Sequence, residues 1–413
     1  MCAQVLATNA KNILLLGYGT TLGFPTIVIP SVSAFNLHQD RLRDTLSLTL
    51  DQISWFSSIN LLCVPIGCVL SGLVTQPLGR KPSMLALNVP FVCAWLIYRW
   101  CASVGTLYAA LAITGLTGGL LEAPVLTYVA EITEPEVRGL LAAMSSMCVI
   151  LGIFVQFLLG TLLHWRTIAL INISIPVCAL IAISFVPESP YWLIGRGRLE
   201  EAEKSLMWLR GWVDREEVQE ELADLKETIR ADGRAAPWWR PYAKKSFLHP
   251  FALVTLAFAI GHFGGMTTLQ TFAVGIFTAV GSPLDKYVST LALGLTQLLG
   301  ALFCMATVKF TGKRPLAMVS TGGAGLCFLV VALYSRVTPA GTALETSAVA
   351  WLPLVGLLTA TFGTHIAIRL LPWMLIGEVT LYIYIHRAKR ICSMGDVTCV
   401  WSSGVHAGDE GCS

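Results

Sequence analysis

The chain has 413 residues, 55% of them hydrophobic and only 13% charged, with a mean hydropathy of +0.68. That charged share is about half the usual one and excludes an ordinary soluble globule or a disordered chain. With 28 Lys and Arg against 25 Asp and Glu, a net charge of +3, there is no cationic surplus for nucleic acid, and the remaining class is a polytopic protein embedded in a lipid bilayer.

A hydrocarbon core about 30 Å thick takes roughly 20 apolar residues per helix. Ten such runs occur, near residues 12–32, 53–75, 83–101, 104–130, 140–163, 167–187, 249–279, 287–309, 315–335 and 347–378. They are long and do not alternate with period two, which predicts helices rather than barrel strands. The first run lacks a small-residue cleavage site and leads into the polar stretch Asn36 to Asp51, so it reads as an uncleaved span. The order predicts an all-α membrane protein with a six-helix N-terminal half over 1–187, a helical loop over 188–248, and a four-helix C-terminal half over 249–379. In the loop, Leu199, Ala202, Leu206 and Leu209 have helical spacing, and Glu216 to Arg230 suits a solvated helix.

Placing the N-terminus inside puts 21 Lys and Arg on the inner segments, eleven of them in the 188–248 loop, against six outside. Positive residues are retained in the cytoplasm, so both termini are expected there. The twelve cysteines are scattered without CxxC or Cys/His spacing and read as small packing residues. No metal, nucleotide or hydrolase fingerprint occurs. The sequence therefore implies no cofactor, no metal and no enzyme activity, and nothing in it specifies an oligomeric state.

The two halves repeat a signal. Gly79-Arg80-Lys81-Pro82 follows the second run and Gly312-Lys313-Arg314-Pro315 the eighth. The fourth run ends in Tyr128-Val129-Ala130-Glu131 with Arg138-Gly139 beyond, and the tenth ends in Gly377-Glu378. Matched basic turns in two halves are what a duplicated transporter shows, with its binding site between the halves near mid-membrane.

With Pro187-Glu188-Ser189-Pro190-Tyr191-Trp192-Leu193 and Pro372-Trp373-Met374-Leu375-Ile376-Gly377-Glu378 added, five motifs stand in order and in register with the runs. In this the chain resembles the sugar porters of the major facilitator superfamily, and among them the insect facilitated trehalose transporter-like proteins, over roughly residues 12–379. The resemblance implies a twelve-span rocker-switch carrier at the plasma membrane for trehalose, a hexose or a related polyol. It also implies an inner gate built from Arg80, Lys81, Glu131, Arg138, Glu188, Lys313, Arg314 and Glu378.

Departures from the family pattern are equally informative. The amide-rich run expected in the seventh span is replaced by Gly261-His262-Phe263-Gly264-Gly265-Met266-Thr267. Gly19 and Leu111 stand where proton-coupled relatives carry an Asp and an Arg, which favours facilitated diffusion. The acidic positions before the basic turns are Gln76 and Lys309. Sugar hydroxyls need hydrogen-bonding partners and the ring C–H surface an aromatic face, so the candidate ligands are Gln156, His262, Thr267, Thr268, Gln270, Gln297 and Trp373.

Two ionisable residues fall inside runs. Glu122 precedes Glu131 by nine residues, and Arg369 precedes Glu378 by nine, which places both about 13 Å from the inner end. An isolated charge in hydrocarbon is costly, so they are expected either to face each other and pair in one state of a transport cycle, or each to be paired within its own half or solvated by cavity water. After Val379 the family pattern stops, and residues 380–413 contain no spanning run. They are expected to be a disordered, foreign tail, leaving about ten of twelve spans. A non-transporting sugar sensor on the same scaffold, or an inactive shortened product, remains the alternative to a carrier.

Overall fold

The computed structural model of the chain describes residues 2–33, 46–233, 245–337, 350–373 and 375. Almost all of them are helical. The first eight helices are α1 (Cys2–Val32), α2 (Leu50–Leu78), α3 (Arg80–Trp100), α4 (Val104–Leu120), α5 (Glu122–Ile132), α6 (Pro135–Leu162), α7 (Trp165–Asn172) and α8 (Ser174–Ser184). Three short helices follow, α9 (Pro190–Gly195), α10 (Leu199–Leu209) and α11 (Arg215–Gly233). The last group is α12 (Lys245–Phe263), α13 (Met266–Thr271), α14 (Ala273–Ala279), α15 (Lys286–Thr311), α16 (Lys313–Val337) and α17 (Trp351–Ile366).

Among the described residues, nine helical stretches are long and apolar enough to cross a membrane. Three of them contain a break, α4 running into α5 at Leu121, α7 into α8 at Ile173, and the last, Trp351–Trp373, at Ala367 to Leu370. The first begins at Cys2, ten residues before the apolar run that marks it, because Lys11 is buried and donates to Ser145 of α6 instead of ending the helix in water. The seventh predicted run, 249–279, is not one helix. Gly264 and Gly265 interrupt it, with Gly265 at φ 75°, a left-handed conformation that glycine adopts at no steric cost.

Lipid offers no hydrophobic drive to bring helices together, so close backbone approach and polar contacts must do it. The α1–α6 seam is such an approach: a Cβ on Gly19 would lie 2.1 Å from the Val149 carbonyl, and one on Gly152 2.2 Å from that of Leu16. Gly115 and Gly119 of α4 press in the same way on the Asn60 and Val64 carbonyls of α2, at 2.3 and 2.1 Å. Hydrogen bonds reinforce that seam. Asn60 donates to Thr114 Oγ1 at 2.9 Å, and Ser71 donates to the Leu120 carbonyl at 2.6 Å while accepting the Ala123 N–H at 3.0 Å. Phe24, Trp95, Tyr98 and Trp165 lock α1, α3 and α7 together, with the Phe24 and Trp95 rings edge to face at 5.1 Å.

The α1–α8 and α12–α17 groups meet along one side. Thr26 of α1 donates to the Gln270 carbonyl of α13 at 2.8 Å. Gly294 of α15 packs on Phe154 and Phe157 of α6, and Ile150 of α6 joins a buried cluster with Ala301, Cys304 and Leu370. These contacts use the middle of α6 and the far end of α1, away from Glu131 and the α2–α3 turn. The seam is therefore closed on the face remote from α9–α11, and no contact described here joins α9–α11 to the second group.

A substitution pair tests the glycine seam. Gly119→Leu must displace α2, and overpacking costs about 1–3 kcal/mol or more, whereas Gly72 has open space where its Cβ would sit. Gly119→Leu is expected to lower the melting temperature and monodisperse yield in detergent, with Gly72→Leu at the parental value in both.

Candidate functional site

The face bearing α9–α11 carries a polar network that begins at Gly79. This glycine turns the chain between α2 and α3 at φ 104°, and a side chain there would strike Glu188 Oε2 at 2.4 Å. The space belongs to Glu188, which accepts the N–H groups of Arg80 and Lys81 at 3.2 Å and of Ser189 at 2.7 Å. It thereby caps the otherwise uncapped start of α3, where a carboxylate also meets the positive end of the helix dipole. Burial pushes the Glu188 carboxyl above its ordinary range, against the downward pull of those N–H groups and of the Arg80 charge.

Arg80 reaches back to Glu131 at the end of α5, Nη2 to Oε1 at 2.7 Å, with both side chains largely buried. Ser189 donates to the other Glu131 oxygen, so the pair is held on both sides. Lys81 donates to the Ser184 carbonyl at 2.8 Å, and Arg138 to the Thr133 carbonyl at 2.9 Å. Gln76 takes part through its backbone: its carbonyl accepts Trp192 Nε1 at 3.0 Å and Arg196 Nη2 at 2.9 Å. The N-terminus joins too, since Gln4 donates to Glu134 at 2.8 Å and Arg210 of α10 pairs with Glu134 and Glu221. In the second group Arg314 is exposed and makes no ion pair among the described residues. Lys313 opens α16 and is half-buried, and Glu378, the last gate candidate, lies outside the described residues, as does the tail 380–413.

The ligand candidates divide. Gln156, Gln270 and Gln297 are all buried near the seam. Gln156 lies against Gly23 of α1 and accepts from Asn172 of α7 at 2.9 Å, which leaves its Nε2 without a partner among the described residues. One turn beyond Gly23, Thr26 holds the Gln270 carbonyl, and Gln270 Oε1 faces Gln297 Nε2 at 3.5 Å. Gln297 Oε1 and Asn172 Oδ1 are also unpaired. A belt of amides thus crosses the seam with one unpaired donor and two unpaired acceptors. Sequence reasoning missed Asn172 and Thr26, which carry no motif and join the belt only through packing.

The other candidates are placed differently. Trp373 is 39% exposed and meets Phe258 of α12 edge to face at 5.1 Å. His262 turns its Nδ1 to the Phe258 carbonyl of its own helix at 2.9 Å, and Thr268 is exposed. Thr267 accepts from Arg369 Nη1 at 3.1 Å. Glu122 opens α5 beside Tyr18 and Cys68, and no ion pair among the described residues joins it to Arg369. The expected charge pair is therefore not made in this conformation.

The sequence profile of the "Sugar (and other) transporter" family matches residues 11–398. The facilitated trehalose transporter Tret1 of Apis mellifera ligustica is 27% identical over 384 residues, covering 91% of this chain and 73% of the relative. That of Bombyx mori is 26% identical over 381 residues, covering 91% and 72%. Among solved structures, the xylose transporter XylE from E. coli in a partially occluded inward open conformation superposes with a TM-score of 0.70 at 18% identity, covering 94% of this chain and 89% of that one. The likeness at this identity shows the fold, that of the major facilitator superfamily.

The buried Arg80–Glu131 pair makes a clear stability prediction. Removing one partner strands the other, at a cost of about 3–5 kcal/mol, whereas Ser189→Ala removes one hydrogen bond worth about 1 kcal/mol. In thermal melts Arg80→Leu and Glu131→Leu are each expected to fall well below Ser189→Ala, and the exchanged pair Arg80→Glu with Glu131→Arg to recover part of the loss.

Proposed function

The chain belongs to the "Sugar (and other) transporter" family, and from that premise we propose that it is a facilitative carrier moving a sugar across the plasma membrane by alternating access. The sugar is trehalose, a hexose or a related polyol, a reading supported by the trehalose transporters it resembles.

The observation that carries the proposal is the amide belt at the seam. A sugar hydroxyl both donates and accepts, and it is the kind of group that satisfies an unpaired Gln156 Nε2 from one helix group and an unpaired Gln297 Oε1 from the other. Binding that draws on both groups lets the substrate bias their relative position, which alternating access requires. Facilitated diffusion is favoured by Gly19, whose α-carbon sits so close to α6 that no carboxylate side chain fits there. Leu111, at the other position of the missing coupling pair, is buried apolar packing.

The Lys and Arg of the 188–248 loop assign the α9–α11 face to the cytoplasm, with both termini on that side. The seam closed on the opposite face then corresponds to a carrier open inward. The network of Arg80, Lys81, Glu131, Arg138 and Glu188 serves as the hinge of the inner gate, and Lys313, Arg314 and Glu378 are its proposed counterparts.

Proteoliposomes loaded with labelled trehalose or glucose test this. The expected result is saturable flux with counterflow, unaffected by an imposed pH gradient. Gln156→Leu and Gln297→Leu are expected to raise the half-saturation concentration about tenfold each, the value of one hydrogen bond to a buried partner. Saturable sugar binding with no flux would replace the carrier with a sensor.

A further inference from the structure

Arg369 is an ionised side chain deep in the second helix group that neither the amide belt nor the gate network uses. Among the described residues of that group no carboxylate is paired with it: residues 245–337 and 350–373 hold a single acidic residue, Asp285, and its carboxylate caps α15 by accepting the Tyr287 and Val288 N–H groups. Among the described residues the one side-chain hydrogen bond of Arg369 goes to Thr267. His365, one turn earlier, is occupied with the Thr361 carbonyl at 2.9 Å.

The surrounding backbone is informative. The last spanning stretch is broken after α17, and Ala367 to Leu370 form turns before helix resumes at Leu371. The other break, at Gly264 and Gly265, lies directly against it, since a Cβ on Gly261 would meet the Ile368 carbonyl at 3.2 Å. Non-helical backbone at membrane depth is tolerated where it is buried in protein or lines a cavity, and paired discontinuous spans mark substrate sites in transporters. Arg369 stands at one break and Thr267 just past the other, and Trp373 follows Arg369 by four residues. Thr267 ends the segment in which the family's amide run is missing.

We propose that Arg369, fixed by Thr267 where the two broken spans meet, is a sugar-binding residue of this carrier, its remaining guanidinium N–H groups donating to a vicinal diol whose C–H face lies on Trp373. The planar fork of a guanidinium matches two adjacent oxygens, and the sugar oxygens solvate a charge that has no counterion among the described residues of the second helix group. Arg369 thus does the work of the absent amides. The assignment rests on the carrier reading and goes beyond it in naming the donor and the diol it recognises.

Equilibrium binding of labelled glucose to the detergent-purified full chain tests it, with thermal melts as the folding control. Arg369→Gln is expected to weaken binding about 10- to 100-fold, the value of hydrogen bonds to a charged donor. It is also expected to erase the preference for glucose over an analogue lacking one of the two hydroxyls, which a merely structural role would leave intact. Thr267→Val, which only frees the guanidinium, is expected to weaken binding severalfold and reports even if Arg369→Gln fails to fold. Undiminished affinity in folded Arg369→Gln, or in Thr267→Val alone should the former not fold, overturns the assignment while the carrier reading stands. Recovery of binding when Glu122→Arg is combined with Arg369→Glu also overturns it, because Arg369 would then be a partner of Glu122. A parent chain that binds no sugar overturns the carrier reading and this assignment together.

Discussion

A polar atom placed in hydrocarbon must find a partner inside the protein, and that requirement organises this molecule. It forces the backbone into helices, which then need some way of holding together in a solvent as apolar as their own side chains. Gly19, Gly152, Gly115 and Gly119 answer by letting backbones touch. Asn60, Ser71 and Lys11 answer by hydrogen bonding from one helix to the next. At the α9–α11 face the same requirement produces the Arg80–Glu131–Ser189 cluster and the capping of α3 by Glu188.

Some buried polar atoms find no partner among the described residues, and part of that scattered set lies at the seam. Gln156 Nε2, Asn172 Oδ1 and Gln297 Oε1 lie near the seam between the helix groups, and Arg369 lies at the junction of two helix breaks. The proposed function places its ligand among these groups. The seam itself is one-sided, gripping at Thr26–Gln270 and along α6–α15 while the α9–α11 face makes no described contact with the second group. Packing on one face, with none between α9–α11 and the second group among the described residues, is the asymmetry that the proposed rocking motion uses.

The spans were legible because hydropathy over about twenty residues is a strong signal. The apolar run 249–279 hid its break, since hydropathy does not register backbone conformation, and only the Gly264-Gly265 pair hinted at it. The Arg80 and Glu131 partnership was legible from motifs, whereas the capping of α3 by Glu188 was not, because it depends on a side chain more than a hundred residues away in sequence. Gln156, Gln270 and Gln297 were found as polar residues inside apolar runs. Asn172 and Thr26 were missed because nothing in their local pattern separates a seam residue from an ordinary helix-packing one. Glu122 and Arg369, expected to pair in one state of a transport cycle, make no ion pair with each other among the described residues in this conformation.

The rocking of one helix group against the other is tested most directly by two spin-label distances in the same reconstituted protein. One pair, at Lys204 and Thr311, spans the open face, and the other, at Ala102 and Leu284, spans the closed one; all four positions except Lys204 flank spanning helices, and all are exposed. On adding sugar the first distance distribution is predicted to gain a shorter population as the second gains a longer one. Two distributions that stay fixed, or that lengthen and shorten together, would contradict the account.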